Sequence, residues 1–205
     1  MNITVFVDGF NLYHSIANRK FPSLSKYKWL DVSKLINKFV PLDRHNVKIL
    51  YFTSLTEWSV AKMNRHKLFI CALESTGIET IYGKFKLVDR ECMADCKKTY
   101  QTYAEKRTDS NIAVNLLYRA EKEYDQAIIV SGDSDLIPAV EMVNKIYEKK
   151  KKIGLIIPIN READELSSYC FWSRQITQRQ LAESQFPNIV RISETETITR
   201  PPVWV

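Results

Sequence analysis

The sequence predicts an α/β sandwich in which a central, mainly parallel five-stranded sheet is covered by helices on both faces. Three observations predict it. Five short runs are almost continuously apolar, as strands buried on two faces are: residues 3–7 (ITVFV), 47–52 (VKILYF), 78–82 (IETIY), 127–131 (AIIVS) and 153–157 (IGLII). Longer helical patterns lie between them, at 10–19, 31–40, 58–76, 109–123 and 136–149, and such an alternation implies right-handed crossovers between parallel strands. The chain has 205 residues, 45% of them hydrophobic and 11% aromatic, enough to bury one sizeable core.

Taken in order, the first strand runs into Asp8, Gly9 and Asn11, where the first helix opens. The helices at 31–40 and 58–76 precede the second and third strands. The helix at 109–123 places Ile112, Val114, Leu116, Leu117 and Ala120 on one side, with Thr108 or Asp109 suited to cap its start, an interaction that contributes about 1 kcal/mol. The fourth strand gives way to a Ser131-Gly132 turn, after which Asp133 and Asp135 follow, with Asp135 placed to satisfy free backbone amides of the next helix. That helix ends in EKKKKIG (148–154), where positive charge favours the helix dipole. Beyond residue 160 the pattern weakens to one or two helices, a possible edge strand at NIVRI and a tail, TRPPVWV. Residues 1–160 therefore form the expected domain, and 161–205 a helical extension and tail packed on it.

Composition narrows the class of function. Thirty Lys and Arg against 24 Asp and Glu give a net charge of +6, which draws anionic partners such as nucleic acid. The N-terminus MNITVFVDGF lacks a basic, apolar leader, and no run approaches the roughly 18 apolar residues of a membrane span; a soluble, cytoplasmic protein is expected. The four cysteines do not form a secreted disulfide framework. Cys71 and Cys170 read as core residues, while Cys92 and Cys96 supply only half of a zinc site. No Gly-rich phosphate loop occurs, which argues against a nucleotide-binding regulator. A haloacid-dehalogenase-type phosphatase needs a second Asp two residues after the first, where Phe10 stands.

The acids remain to be explained. Ligands of open parallel sheets collect beyond the carboxyl ends of the strands, at the switch point of strand order. Asp8 ends the first strand and Asp133 and Asp135 follow the fourth, so adjacency of those strands would gather them, with Asp109 as a fourth. Two carboxylates about 4 Å apart repel by roughly 4 kcal/mol at an effective dielectric near 20. Protons or a cation must offset that repulsion, and a hard divalent ion such as Mg²⁺ or Mn²⁺ suits an Asp/Asn site.

The stretches VFVDGFNLYHSI, KRTDSNIAVNLL and YDQAIIVSGDSDLIPAVEMV, in that order, resemble the three acidic motifs of the NYN domain family of PIN-like, LabA-like nucleases. The resemblance covers residues 1 to about 160. It implies a PIN-like three-layer α/β/α sandwich and a Mg²⁺- or Mn²⁺-dependent ribonuclease, with Asp8, Asp109, Asp133 and Asp135 as catalytic metal ligands and Asn11 and Ser131 positioning ligands or the scissile phosphate. Gly9 and Gly132 would allow sharp turns and close approach to substrate.

Basic residues must meet the phosphates. Lys106 and Arg107, just before Asp109, are the leading substrate-binding candidates, followed by Lys84, Lys86, Lys97 and Lys98, with Tyr100 and Tyr103 as stacking platforms for unpaired bases. His14 reads as a core or surface residue. The expected partner is single-stranded RNA, with a homodimer possible through the aromatic tail (Phe171, Trp172, Trp204). The rival expectation is a non-catalytic PIN-like module that binds RNA or serves as a scaffold.

Overall fold

The computed structural model describes residues 1–92 and 97–204. The elements are β1 (Asn2–Asp8), α1 (Gly9–Ile16), α2 (Val32–Asn37), β2 (Asn46–Thr53), α3 (Val60–Glu74), β3 (Glu79–Tyr82), β4 (Lys84–Glu91), β5 (Thr99–Lys106), α4 (Thr108–Ala120), β6 (Gln126–Val130), α5 (Ile137–Ile146), β7 (Lys152–Ile157), α6 (Asp164–Ser168), β8 (Trp172–Gln175), α7 (Gln178–Glu183), β9 (Ile189–Arg191) and β10 (Thr197–Thr199). The central sheet has the order β3-β2-β1-β6-β7-β8, and every pairing in it is parallel. All five expected strands are present. The sixth, β8, escaped detection because it is a short edge strand, Trp-Ser-Arg-Gln, with three exposed residues and no apolar run.

Alternating side chains of the strands feed two separate cores, which makes the sandwich three-layered. Ile3, Val5 and Val7 of β1 pack on the side of α1, α2 and α3, together with Phe186, Val190, Ile198 and Trp204 from the C-terminal segment. Phe6 faces the other way, into α4 and α5, among Ile112, Leu116, Val140 and Val143. Trp29 is fully buried and lies against Trp204, with ring centroids 6.1 Å apart, so this tail residue covers a core. Phe171 is 67% exposed. No described helix is long and apolar enough to cross a membrane.

Several local expectations change. Between β3 and α4, β4 and β5 pair antiparallel as a hairpin that is separate from the central sheet and largely exposed. It carries Lys84, Lys86, Tyr100 and Tyr103; Cys96 lies outside the described residues. NIVRI pairs with β10 in its own two-stranded sheet and is not an edge of the main one. Cys71 is exposed, because α3 turns Phe69, Ile70, Ala72 and Leu73 inward instead. Cys170 packs, partly buried, against the α4–α5 core, while Val114 on α4 is 64% exposed.

Candidate metal centre

Strand order explains how distant acids meet. From β1 the chain builds outward through β2 and β3, returns through α4 to β6 on the other side of β1, and continues to β7 and β8. The switch point lies between β1 and β6, whose last pair is Val7 with Val130, and a crevice opens beyond their carboxyl ends. Asp8 and Asp133 stand one on each side of it. Asp109 joins them from the first turn of α4, which is held to the sheet by Ile112, Leu116 and Ala120. One carboxylate oxygen from each of Asp8, Asp109 and Asp133 lies within 4.8 Å of the others.

A hydrogen-bond relay fixes two of these acids. Asp8 caps α1: its Oδ1 accepts from the Asn11 backbone N–H at 2.9 Å. Its Oδ2 accepts from the Ser131 hydroxyl at 2.9 Å, and Ser131 Oγ in turn accepts from the Asp133 N–H at 3.1 Å. The Asn11 side-chain oxygen accepts from the Gly132 N–H at 3.1 Å, tying the two loops together. Ser131 is fully buried, so it orients the carboxylates from behind. Asp133 Oδ1 accepts from the Asp135 N–H at 3.0 Å. Asp8 and Asp133 thus cap short helices and also face the cluster, since a carboxylate has more lone pairs than a cap consumes.

Neither Thr108 nor Asp109 caps α4. The residue at the helix boundary is Arg107, in the left-handed region at φ 78°, with no side-chain cap bond. Thr108 spends its hydroxyl on Glu105. Asp109, one residue inside the helix, is free to turn to the other acids. Asp135 is exposed and stands outside the group of three, though near enough for its charge to act on Asp109.

The electrostatics are unfavourable without a counter-ion. Burial, reinforced by Asp109 and Asp133, pushes Asp8 up to about 6, even though the bonds from Asn11 and Ser131 pull it down. Asp109 is raised by burial and then by Asp133 and Asp135. Among the described residues no lysine or arginine forms an ion pair with any of the four aspartates. Oxygens on one ion at about 2.0–2.6 Å stand roughly 3–4 Å apart when adjacent and 4–5 Å when opposite, so carboxylates with oxygens within 4.8 Å of one another can close on a hard divalent cation.

Three features were not anticipated. Glu105, at the end of β5, is pushed up to about 7, first by burial and further by Asp8 and Asp109, against the lowering bonds from Thr108 and Ser54. Its place in the run AEKRTD was the only available signal. Arg161 borders a groove lined by Asn11, Gly132 and Asp133, and its Nε is buried without a partner among the described residues. On the other side of α1, a cavity of about 320 Å³ is lined by Gly9, Phe10, Tyr51, Thr53, Trp58 and His66, among others. Lys106 and Arg107 are exposed on the segment leading into α4. Gly9 is required for packing, not for a turn: a Cβ there would sit 2.6 Å from the Phe52 carbonyl oxygen and the Tyr51 ring.

Comparison with known proteins agrees with this architecture. The chain is 26% identical over 226 aligned residues to 6-hydroxy-3-succinoylpyridine 3-monooxygenase HspA of Pseudomonas putida (strain DSM 28022 / S16), an alignment covering 91% of this chain and 70% of that protein. A crystal structure of a protein of unknown function, VPA0982 from Vibrio parahaemolyticus RIMD 2210633, superposes with a TM-score of 0.57 at 17% identity, covering 86% of this chain and 93% of the other, and shows the same fold. The NYN domain model matches residues 2–176, through β8. The chain belongs to the NYN domain family of PIN-like nucleases.

Proposed function

We propose that the protein is a Mg²⁺- or Mn²⁺-dependent endoribonuclease that hydrolyses single-stranded RNA in the cytoplasm. The observation that carries this reading is the convergence of Asp8, Asp109 and Asp133 from three separate segments to within 4.8 Å, with no cationic side chain among the described residues paired to them. These three would hold the ion, with Asp135 reaching it through water. When bound, such an ion lowers the pKa of a water and stabilises charge on the phosphoryl oxygens. The chain's own residues supply the rest. Asn11 and Ser131 hold the carboxylates in register, while Arg161, Lys106 and Arg107 meet the substrate's phosphates. Glu105, near neutrality in its titration, can accept a proton at the edge of the site. The exposed β4–β5 hairpin, with Lys84, Lys86, Tyr100 and Tyr103, offers a track for the strand beyond.

The test is cleavage of a labelled single-stranded RNA in Mn²⁺ by wild type and by Asp133→Asn, each with and without EDTA. Cleavage by wild type alone, abolished by EDTA, is expected; equal cleavage by the variant contradicts the reading. Metal-independent RNA binding without cleavage would instead favour a non-catalytic module. One observation supports a second reading. The aromatic-lined cavity beside the acids is of a size to take a small heteroaromatic molecule, and the Pseudomonas relative is named as a monooxygenase of a succinoylpyridine.

A further inference from the structure

No carboxylate of the described residues lines the cavity behind Gly9, yet it lies next to the acidic crevice: Gly9 and Phe10 of its lining directly follow Asp8, and the Tyr51 hydroxyl reaches the Gly9 carbonyl oxygen at 3.5 Å. Phe10, two residues after Asp8, forms its inner wall, with ring centroids 5.5 Å from Phe85, 5.9 Å from His14 and 6.2 Å from His66. Trp58 closes the outer wall: it meets Phe85 edge-on at 4.6 Å and stacks on Tyr103 of the hairpin at 3.9 Å and 6°. Trp58 is 39% and Tyr103 43% exposed, so neither is needed to fill a core. The floor is polar, with Thr53 Oγ1 and His66 Nε2 hydrogen-bonded at 3.1 Å. Lys62 and Arg65 stand at the rim. Among the described residues neither forms an ion pair.

We propose that this cavity is a base-binding subsite that takes one unpaired nucleobase of the RNA, the nucleotide flanking the phosphate at the acidic centre. Its choice of ligand rests on the nuclease reading. Four properties fit that occupant. A volume of about 320 Å³ lies at the small end of ligand sites and admits one ring system. Aromatic walls stack on the π-face of any base, which is how unpaired bases are held. The Thr53–His66 pair offers polar atoms to a base edge; burial holds His66 neutral by depressing it to about 4. Lys62 and Arg65 then meet the phosphate on the outer side. The Trp58–Tyr103 stack also joins the hairpin to the cavity, so a strand lying along β4 and β5 leads into it.

The test is binding of UMP and AMP in EDTA, read by tryptophan fluorescence and by calorimetry, with ribose 5-phosphate as a probe lacking the base. Wild type should bind the nucleotides and not ribose 5-phosphate. Trp58→Ala should weaken nucleotide binding roughly 5- to 150-fold, as loss of one stacking partner does, while Trp58→Phe should retain most of it. The subsite is overturned if nucleotides do not bind, if ribose 5-phosphate binds as well, or if Trp58→Ala leaves binding unchanged, and any of these can occur in a protein that still cleaves RNA. Conversely, Trp58-dependent nucleotide binding by a wild type that cleaves nothing sustains the subsite while the nuclease reading fails.

Discussion

Replacing Asp8 with Asn should stabilise the metal-free protein, although it removes a ligand. Burial raises the carboxyl from 3.8 to about 6 in the folded chain, and holding it charged above pH 6 therefore costs about 3 kcal/mol. Asparagine removes that charge. Its Oδ1 can still accept from the Asn11 N–H, and its amide can donate to Ser131 Oγ, but the buried Ser131 hydroxyl proton then loses its acceptor, so about 2 kcal/mol is lost. A net gain of about 1 kcal/mol at pH 8 corresponds to roughly 2–4 °C in Tm for a chain of this size. The sign with pH follows from the raised value. Wild type carries no penalty below the unfolded-state value of 3.8, acquires it as pH rises to about 6, and bears all of it above. The advantage of Asp8→Asn should thus grow between pH 4 and 6 and then level off. Thermal unfolding of both proteins in EDTA across that range measures it. An Asn variant that is no more stable at pH 8, or a difference independent of pH, would refute the claim that the carboxylates are strained by their own charge.

Saturating Mn²⁺ at about one hundred times its Kd should raise wild-type stability by about 2.7 kcal/mol, and Asp133→Asn should lose most of that gain in the same melting assay. Gly9→Ala should destabilise by about 1–3 kcal/mol, the usual effect of overpacking, because the new methyl meets the Phe52 carbonyl and Tyr51; an unchanged Tm contradicts the packing account. His66 is depressed by burial to about 4, so the unfolded chain takes up the proton first. Stability from this residue should be lost as pH falls from about 6.5 toward 4, and denaturant titrations should show a smaller acid-side loss in His66→Gln.

What the sequence revealed depended on how strongly each feature was written in apolar periodicity. β3 is an edge strand with no buried residue, but the other four expected strands and the helices between them are legible because their side chains fill cores on both faces. The β4–β5 hairpin is not, since Lys84–Glu91 and Thr99–Lys106 are mostly exposed and mix charge with aromatics. β8 is hidden for a related reason. It is placed by a close approach, Trp172 lying over Gly154 where a Cβ would meet it at 2.3 Å, and no local pattern encodes that. The convergence of Asp8, Asp109 and Asp133 could be foreseen because strand ends and a switch point are topological facts. Asp135 shared their motif, but its side chain stands outside the group of three. Glu105, Arg161 and the Phe10–Trp58 cavity depend on contacts between segments far apart in the chain, and single-residue patterns carry no trace of those.

The most direct test of the account is anomalous diffraction from crystals soaked in Mn²⁺. A peak among the carboxylates of Asp8, Asp109 and Asp133 is predicted, absent from Asp133→Asn crystals under the same soak. Ordered Mn²⁺ elsewhere on the molecule with nothing between these three side chains would contradict it.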